Sequence, residues 1–301
     1  MKGYEEENTQ VRKVGRPRKN HSTTHELVHE EPIHDLEPKE SVQNEPEVEK
    51  AGAKKEPLSY EVTVTLPSKG LLYKEDGIPA DISLRGMTTK EEKILYASQG
   101  GSVFKKILRN CVVSPKKLDV NKLVLADEMF LILQLRMVTY GDSYKVSATC
   151  PNCGSKNSFT IKLSDFETEY LDDDFTEPVE VELPRSGDTV TFKLLRNEDL
   201  EQVHKYSKRN AKQFNQNIRE VEYICRLAKY ITSINGKPVD FIDAKAYVEN
   251  MQSMDSRKLQ TAISKIQFGV DTLVTVTCPD CGEDFDFIMP LTSEFFRPDI
   301  E

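Results

Sequence analysis

Two segments of the sequence match each other without a gap at an offset of 128 residues: VSATCPNCGSKNSFTIKL at 146–163 and VTVTCPDCGEDFDFIMPL at 274–291. Val146 corresponds to Val274, Phe159 to Phe287 and Leu163 to Leu291, and each copy reads as strand, CPxCG turn, strand. Two residues between paired cysteines place both sulfurs on one side of a tight turn. Proline presets φ in that turn, and the glycine after the second cysteine permits positive φ. One such knuckle supplies two thiolates, and zinc takes four ligands in a tetrahedral shell. Cys150, Cys153, Cys278 and Cys281 are therefore the candidate metal ligands, with zinc the expected ion. Zinc motifs built from two CxxC pairs usually separate them by about 15–20 residues. Here 124 residues lie between Cys153 and Cys278. The two arms must meet from distant parts of the chain, the residues between them become an insertion, and a metal closing so long a loop should stabilise the fold.

Three other readings compete with a shared structural zinc: two half-sites each completed by another chain, a redox CxxC, and an unmetallated relic. Redox chemistry is disfavoured because neither motif sits at a helix start in a βαβ pattern. Catalytic zinc is disfavoured because four thiolates leave no open position for water.

Composition bears on where a core can form. Hydrophobic residues are 38% of the chain and charged residues 30%, with 41 Lys plus Arg against 50 Asp plus Glu, a formal charge of −9. That apolar share is low for a globular chain, so part of the sequence is expected to lack a core. Residues 1–57 fit this description: Tyr4 is their only aromatic, and prolines stand at 17, 32, 38, 46 and 57. The segment is read as a disordered N-terminal tail. Within it, GRPRK at 15–19 resembles an AT-hook core, which makes Arg16, Pro17 and Arg18 candidate minor-groove contacts. A generic basic stretch is the plainer reading. His21, His25, His29 and His34 could align as metal ligands only on a helix, which a tail of this composition does not favour. The negative total charge argues against a general nucleic-acid binder. No apolar run approaches the ~18 residues of a membrane span, and no signal-peptide core is apparent, so a soluble cytosolic protein is expected. In a reducing compartment paired cysteines point to metal rather than disulfide. Cys111 and Cys225 fall in helical patterns and are read as small buried apolar residues.

Past residue 57 the pattern is mixed α+β. Strands are expected at 60–66 and 80–84, then a helix opened at Thr88 and Thr89 by overlapping capping-box patterns with Glu91 and Glu92. Further helices are expected at 102–112 and 126–139, the latter apolar almost all round and hence buried. A hairpin is read at 179–194, followed by helices at 197–209, 218–232, 241–252 and 256–267. Asn197 and Asp255 are proposed N-caps, Asn235-Gly236 a turn between helices, and 213–217 a polar loop. The organisation expected is a tail (1–57), an N-terminal α+β region (58–142), a first zinc-knuckle β region (143–196), a helical insertion (197–268) and a second zinc-knuckle β arm (269–301).

Catalytic signatures are not found: the sequence has no P-loop, GxGxxG, GxSxG or HExxH pattern. Outside the tail the only histidine is His204, on a charged helix and read as exposed. Asp172-Asp173-Asp174 reads as a solvated acidic loop, since no glycine-bearing calcium loop surrounds it.

Several stretches taken together resemble a known family. They are LPSKGLLY at 66–73, LRGMTTKEEK at 84–93, Leu135-Arg136 with Tyr140-Gly141, CPNCG, YLDDDF at 170–175, VELP at 181–184 with Ser186-Gly187, CPDCG, and Thr292 with Glu294-Phe295-Phe296. The combination resembles the baseplate hub proteins of T-even-type contractile-tailed phages, over about residues 58–297. The resemblance implies a non-enzymatic role, either as a hub component of the virion tail baseplate or as an assembly factor acting in the host cytoplasm. It implies other baseplate and tail hub proteins as partners. The alternative is a zinc-ribbon DNA-binding regulator with an AT-hook-like tail, against which the acidic Asp280, Glu283, Asp284 and Asp286 of the second knuckle argue.

Overall fold

The structure is a computed structural model that describes residues 60–97, 102–290 and 293–296. The tail read at 1–57, with Arg16, Pro17, Arg18 and its four histidines, lies outside the described residues.

Strand β1 (Glu61–Thr65) pairs antiparallel with β2 (Asp81–Arg85). Helix α1 (Thr89–Ala97) then begins at half of the expected capping box: the Thr88 N–H and hydroxyl donate to the Glu91 carboxylate at 2.9 and 2.8 Å, while the Glu91 N–H goes to the Thr88 carbonyl rather than to its hydroxyl. Arg85 pairs with the same carboxylate at 3.1 Å, which ties the end of β2 to the helix start. Helix α2 (Ser102–Cys111) runs directly into β3 (Val112–Ser114), the third strand of the sheet. Helix α3 (Leu125–Tyr140) carries the all-round apolar stretch anticipated from sequence, and its Phe130, Leu131, Ile132, Leu133 and Leu135 are buried. They pack with Ile82 and Leu84 of β2 and with Ile107, Leu108 and Cys111 of α2.

The first arm follows as β4 (Ser143–Thr149) and β5 (Lys156–Lys162), and a short strand β6 (Thr168–Glu169) comes next. The chain then builds a second core. Strands β7 (Val179–Glu182) and β8 (Thr189–Phe192) form the expected hairpin, and helices α4 (Asn197–Phe214) and α5 (Ile218–Tyr230) come after it. Strands β9 (Ile231–Ile234) and β10 (Lys237–Pro238), with helices α6 (Phe241–Glu249) and α7 (Ser253–Ser264), complete this part. The sheet order is β10-β9-β8-β7, antiparallel throughout, and Val190, Phe192, Leu227, Ala244, Val248 and Leu259 lie at its core.

Three local readings are corrected here. The helix expected to reach 232 stops at Tyr230, and the β-branched run that follows pairs with β8. The turn expected at Asn235-Gly236 forms between α5 and α6, where it closes the β9–β10 hairpin; φ values of 51° and 72° are those of a type I′ turn. Asn197 and Asp255 lie inside their helices, because each has a stronger partner far away in sequence. The buried Asn197 amide donates to the Val120 carbonyl at 3.1 Å, and the Asp255 carboxylate accepts the N–H groups of Arg185 and Ser186 at 2.7 and 3.0 Å. Helix α4 also extends to Phe214, taking in two residues read as loop.

Strand β11 (Gly269–Val270) brings the chain back by pairing with β6, Gly269 opposite Glu169 and Val270 opposite Thr168. Gly269 has φ +113°, and a Cβ there would stand 3.0 Å from that of Ala126 on α3. Only glycine lets this return strand lie so close to the central helix. The second arm, β12 (Leu273–Thr277) and β13 (Asp284–Ile288), starts three residues later. Among the described residues no helix is long and apolar enough to cross a membrane.

Candidate metal centre

The internal repeat survives in three dimensions at the level of single hydrogen bonds. Val146 faces Phe159 across the first arm, and Val274 faces Phe287 across the second, in the same register. In the first knuckle the Cys150 N–H donates to the Ser155 carbonyl at 2.9 Å and the Gly154 N–H to the Cys150 carbonyl at 3.0 Å. In the second, the Cys278 N–H donates to Glu283 and the Gly282 N–H to Cys278, both at 2.9 Å. Gly154 and Gly282 have φ of 76° and 75°, with nothing near their missing Cβ atoms, so backbone conformation alone requires glycine there.

These turns bring all four sulfurs within 4.8 Å of one another. Cys150 Sγ lies 3.8 Å from Cys281 Sγ, and Cys153 Sγ lies 3.7 Å from Cys278 Sγ. A disulfide needs about 2.05 Å, so none of these contacts is one. A tetrahedral ion with metal–sulfur bonds of about 2.3 Å has sulfur–sulfur edges of about 3.8 Å. The two cross-arm distances therefore fit a four-thiolate shell. Cys150 and Cys278 are buried, and Cys153 and Cys281 are exposed. Among the described residues no second cluster of potential ligands is close enough to share an ion.

Donors surround the sulfurs. The Ser155 hydroxyl lies 3.0 Å from Cys153 Sγ and 3.5 Å from Cys278 Sγ. The Asn157 amide lies 3.8 Å from Cys278 Sγ and donates to Asp280 at 3.0 Å, while the Asn152 amide lies 3.7 Å from Cys281 Sγ. Hydrogen bonding from Ser155 holds the Cys153 thiol below its usual value and pulls Cys278 down to about 6. Such donors favour the thiolate form that binds metal at Cys153 and Cys278, while desolvation and the neighbouring Cys278 and Cys153 sulfurs push Cys281 up to about 11. Ser155 and Asn157 escape a search for ligand spacing because neither type is itself a ligand. They correspond to Glu283 and Phe285 in the second copy, so the site is chemically lopsided within a symmetric backbone.

Phe159 packs against Phe285 and Phe287, with ring centroids 6.0 and 6.4 Å apart. This aromatic layer joins the inner faces of the arms beside Cys150 and Cys278. Apolar packing thus joins the arms beside the sulfurs.

Two polar nodes anchor distant parts of the chain to α3, one of them beside the arms. Arg136 is almost fully buried and donates to the carbonyls of Phe295, Gly141 and Ser143 at 2.9, 3.0 and 3.3 Å. Tyr144 packs edge-on against Phe295 at 5.1 Å. At the other end of α3, buried Asp127 accepts from the Ser68 N–H and hydroxyl and from the Tyr73 hydroxyl. The stretches around 66–73 and 135–141 and the Phe295 backbone, far apart in the chain, thus meet on one helix.

The remaining expectations have simple outcomes. Cys111 and Cys225 are buried and are not among the four clustered cysteines. His204 is exposed on α4, with Nδ1 3.6 Å from a Glu222 carboxylate oxygen. Asp172, Asp173 and Asp174 are exposed, and Lys69 pairs with Asp173 at 2.5 Å.

No individual curated protein and no solved structure matches this chain. A family model described as T4 bacteriophage base plate protein matches residues 59–297, which take in both polar nodes and all four clustered cysteines. By that match over most of its length, the chain belongs to the T4 bacteriophage base plate protein family.

Proposed function

We propose that Cys150, Cys153, Cys278 and Cys281 hold one structural zinc ion, and that the chain acts in the baseplate hub through protein–protein contacts, as a retained component or as an assembly factor. The observation that carries the metal reading is the pair of cross-arm sulfur distances, 3.7 and 3.8 Å, at the edge length a tetrahedral thiolate ion needs. When bound, the ion supplies a rigid four-way link with no vacant position for substrate. The protein's own residues do the rest. The knuckle backbones orient the sulfurs, Ser155 and Asn157 stabilise the thiolates, and the three phenylalanines keep the arms aligned.

A structural role is supported by the family match and by a site made of four thiolates rather than an open coordination shell. The working division of the chain is the one read from sequence: a tail at 1–57, an α+β region at 58–142, a first knuckle region at 143–196, an insertion at 197–268 and a second arm at 269–301. Arg16, Pro17 and Arg18 in the tail are left as candidate minor-groove contacts, and no observation favours the regulator reading over the baseplate one.

Metal analysis of the purified full chain tests the first half: one zinc per chain is expected, and none after purification without chelator overturns it. Recovery of tagged chain from phage-infected cells tests the second. Tail proteins that co-purify and survive nuclease treatment are expected, and DNA-dependent recovery alone refutes the baseplate reading. Recovery from finished virions distinguishes a retained component from an assembly factor.

A further inference from the structure

We infer that the outer faces of the two knuckle arms bind each other between copies of this chain, the basic face of one copy's first arm lying on the acidic face of the next copy's second arm. The repeat keeps its apolar pairs on the inner faces, with Asn157 opposite Phe285 in the alignment the exception, and loses its charge match on the outer ones. Inside, Val146 and Val274, and Phe159 and Phe287, keep apolar character at equivalent positions. Outside, Lys156 of the first arm corresponds to Asp284 of the second, and Ser158 corresponds to Asp286. The exposed residues of β4 and β5 are serines, threonines and Lys145, Lys156 and Lys162, with no acid among them. Those of β12 and β13 are Leu273, Thr275, Thr277, Asp284, Asp286 and Ile288, with no base among them.

On the acidic face, Thr275 and Thr277 donate to Asp286 and Asp284 at 2.7 and 2.6 Å and hold the carboxylates in place. Leu273 and Ile288 stand opposite each other on the two strands and are 52% and 72% exposed. An apolar cross-strand pair left in water beside two fixed carboxylates suits a covering surface that is flat and basic.

The occupant follows from charge and geometry. Side chains alternate along a strand, so the faces opposite the shared aromatic layer point away from each other. The basic and acidic faces of one chain therefore cannot meet within that chain. A second copy supplies the complementary face, built on the same backbone with the same register. Contact of unlike faces is head-to-tail, so it closes into a ring or continues as a row. A five-residue arm is only about 17 Å long, well short of a standard interface, so the contact is weak and sensitive to salt. This inference rests on the arm geometry and holds whichever hub role the protein has.

The test is sedimentation velocity of the full-length chain over a concentration series at low and high salt, with two charge reversals: Asp284→Lys with Asp286→Lys, and Lys156→Glu with Lys162→Glu. The wild type is expected to associate with rising concentration and to lose that association in high salt. Each reversed chain alone should associate at least about tenfold more weakly, as loss of two surface charge pairs implies. Mixing the two reversed chains should restore association, which a folding defect in either cannot do. A wild type that stays monomeric at low salt, association indifferent to salt, or association that survives either reversal overturns the inference. Binding of duplex DNA by the basic face without self-association assigns that face to a different occupant and equally overturns it. If both reversed chains fail to fold, the salt dependence of the wild type decides.

Discussion

Replacing Cys278 by serine tests the link between the arms most directly. Cys278 is buried, its sulfur lies 3.7 Å from that of Cys153, and 124 residues separate the two in the chain. A cross-link closing a loop of about 125 residues restricts the unfolded chain by the equivalent of about 5 kcal/mol in the chain-entropy treatment. Unfolded chain can retain an ion on a single knuckle, which lowers the effective figure. A loss of about 3–5 kcal/mol is therefore expected for Cys278→Ser, a large part of the 5–15 kcal/mol typical of a native protein. Urea unfolding of the full chain measures it, alongside metal content by mass spectrometry. Zinc should fall from one per chain to none. Cys225→Ala is the control: it removes a buried thiol on α5, outside the cluster, and should leave metal content intact. Full zinc retention in Cys278→Ser would falsify the four-ligand assignment. Zinc loss with a stability change under about 1 kcal/mol would leave the ligands standing and refute the structural role, with the aromatic layer then holding the arms unaided.

Three further outcomes follow from the same geometry. Ser155→Ala removes the hydroxyl beside Cys153 and Cys278 and should weaken zinc affinity about 10–100-fold in competition with a chelator, with the fold unchanged by circular dichroism; unchanged affinity contradicts the role given to this donor. Arg136→Met leaves the carbonyls of Phe295, Gly141 and Ser143 without their donor and should cost about 3 kcal/mol in thermal or urea unfolding, while Arg136→Lys recovers only part because one ammonium cannot reach three divergent carbonyls. Burial raises the Asp127 carboxyl above its usual value, with its bonds from Ser68 and Tyr73 opposing the shift. The folded state therefore holds this proton more tightly than the unfolded state, so Asp127's contribution is complete below about pH 4 and is lost as pH rises through the folded value. Asp127→Asn should flatten that part of the stability–pH curve, and an unchanged slope assigns it to other groups.

Legibility from sequence followed the range of the interaction. The knuckles could be read because their requirements are local: two cysteines, a proline and a glycine within five residues dictate the turn, and the structure gives both copies the same hydrogen bonds. The carboxylate half of the capping box, Glu91 on the Thr88 N–H, is local as well and forms as expected. Asn197 and Asp255 look like caps in sequence because a cap and a buried polar side chain with a long-range partner use the same residue types, and only the partner distinguishes them. Val120 and the Arg185–Ser186 backbone are those partners, more than 65 residues away in sequence. The end of α5 was misplaced for a related reason: Ile231-Thr232-Ser233-Ile234 can extend a helix in isolation, and the exposed edge of β8 draws it into a sheet.

Residue type and spacing alone picked out the four cysteines that cluster, the duplicated arm, the buried central helix and, through the combined motifs, the baseplate family. Each of these is written in residue type and spacing over a few turns of chain. How the repeats meet was fixed only in three dimensions: through the β6–β11 pairing, the close approach of Gly269 to Ala126, and the buried Arg136 node. The fold also sets the three phenylalanines inside and turns the charge-inverted faces outward. Those outcomes depend on which distant surfaces exclude water from one another, and that is fixed only when the whole chain packs.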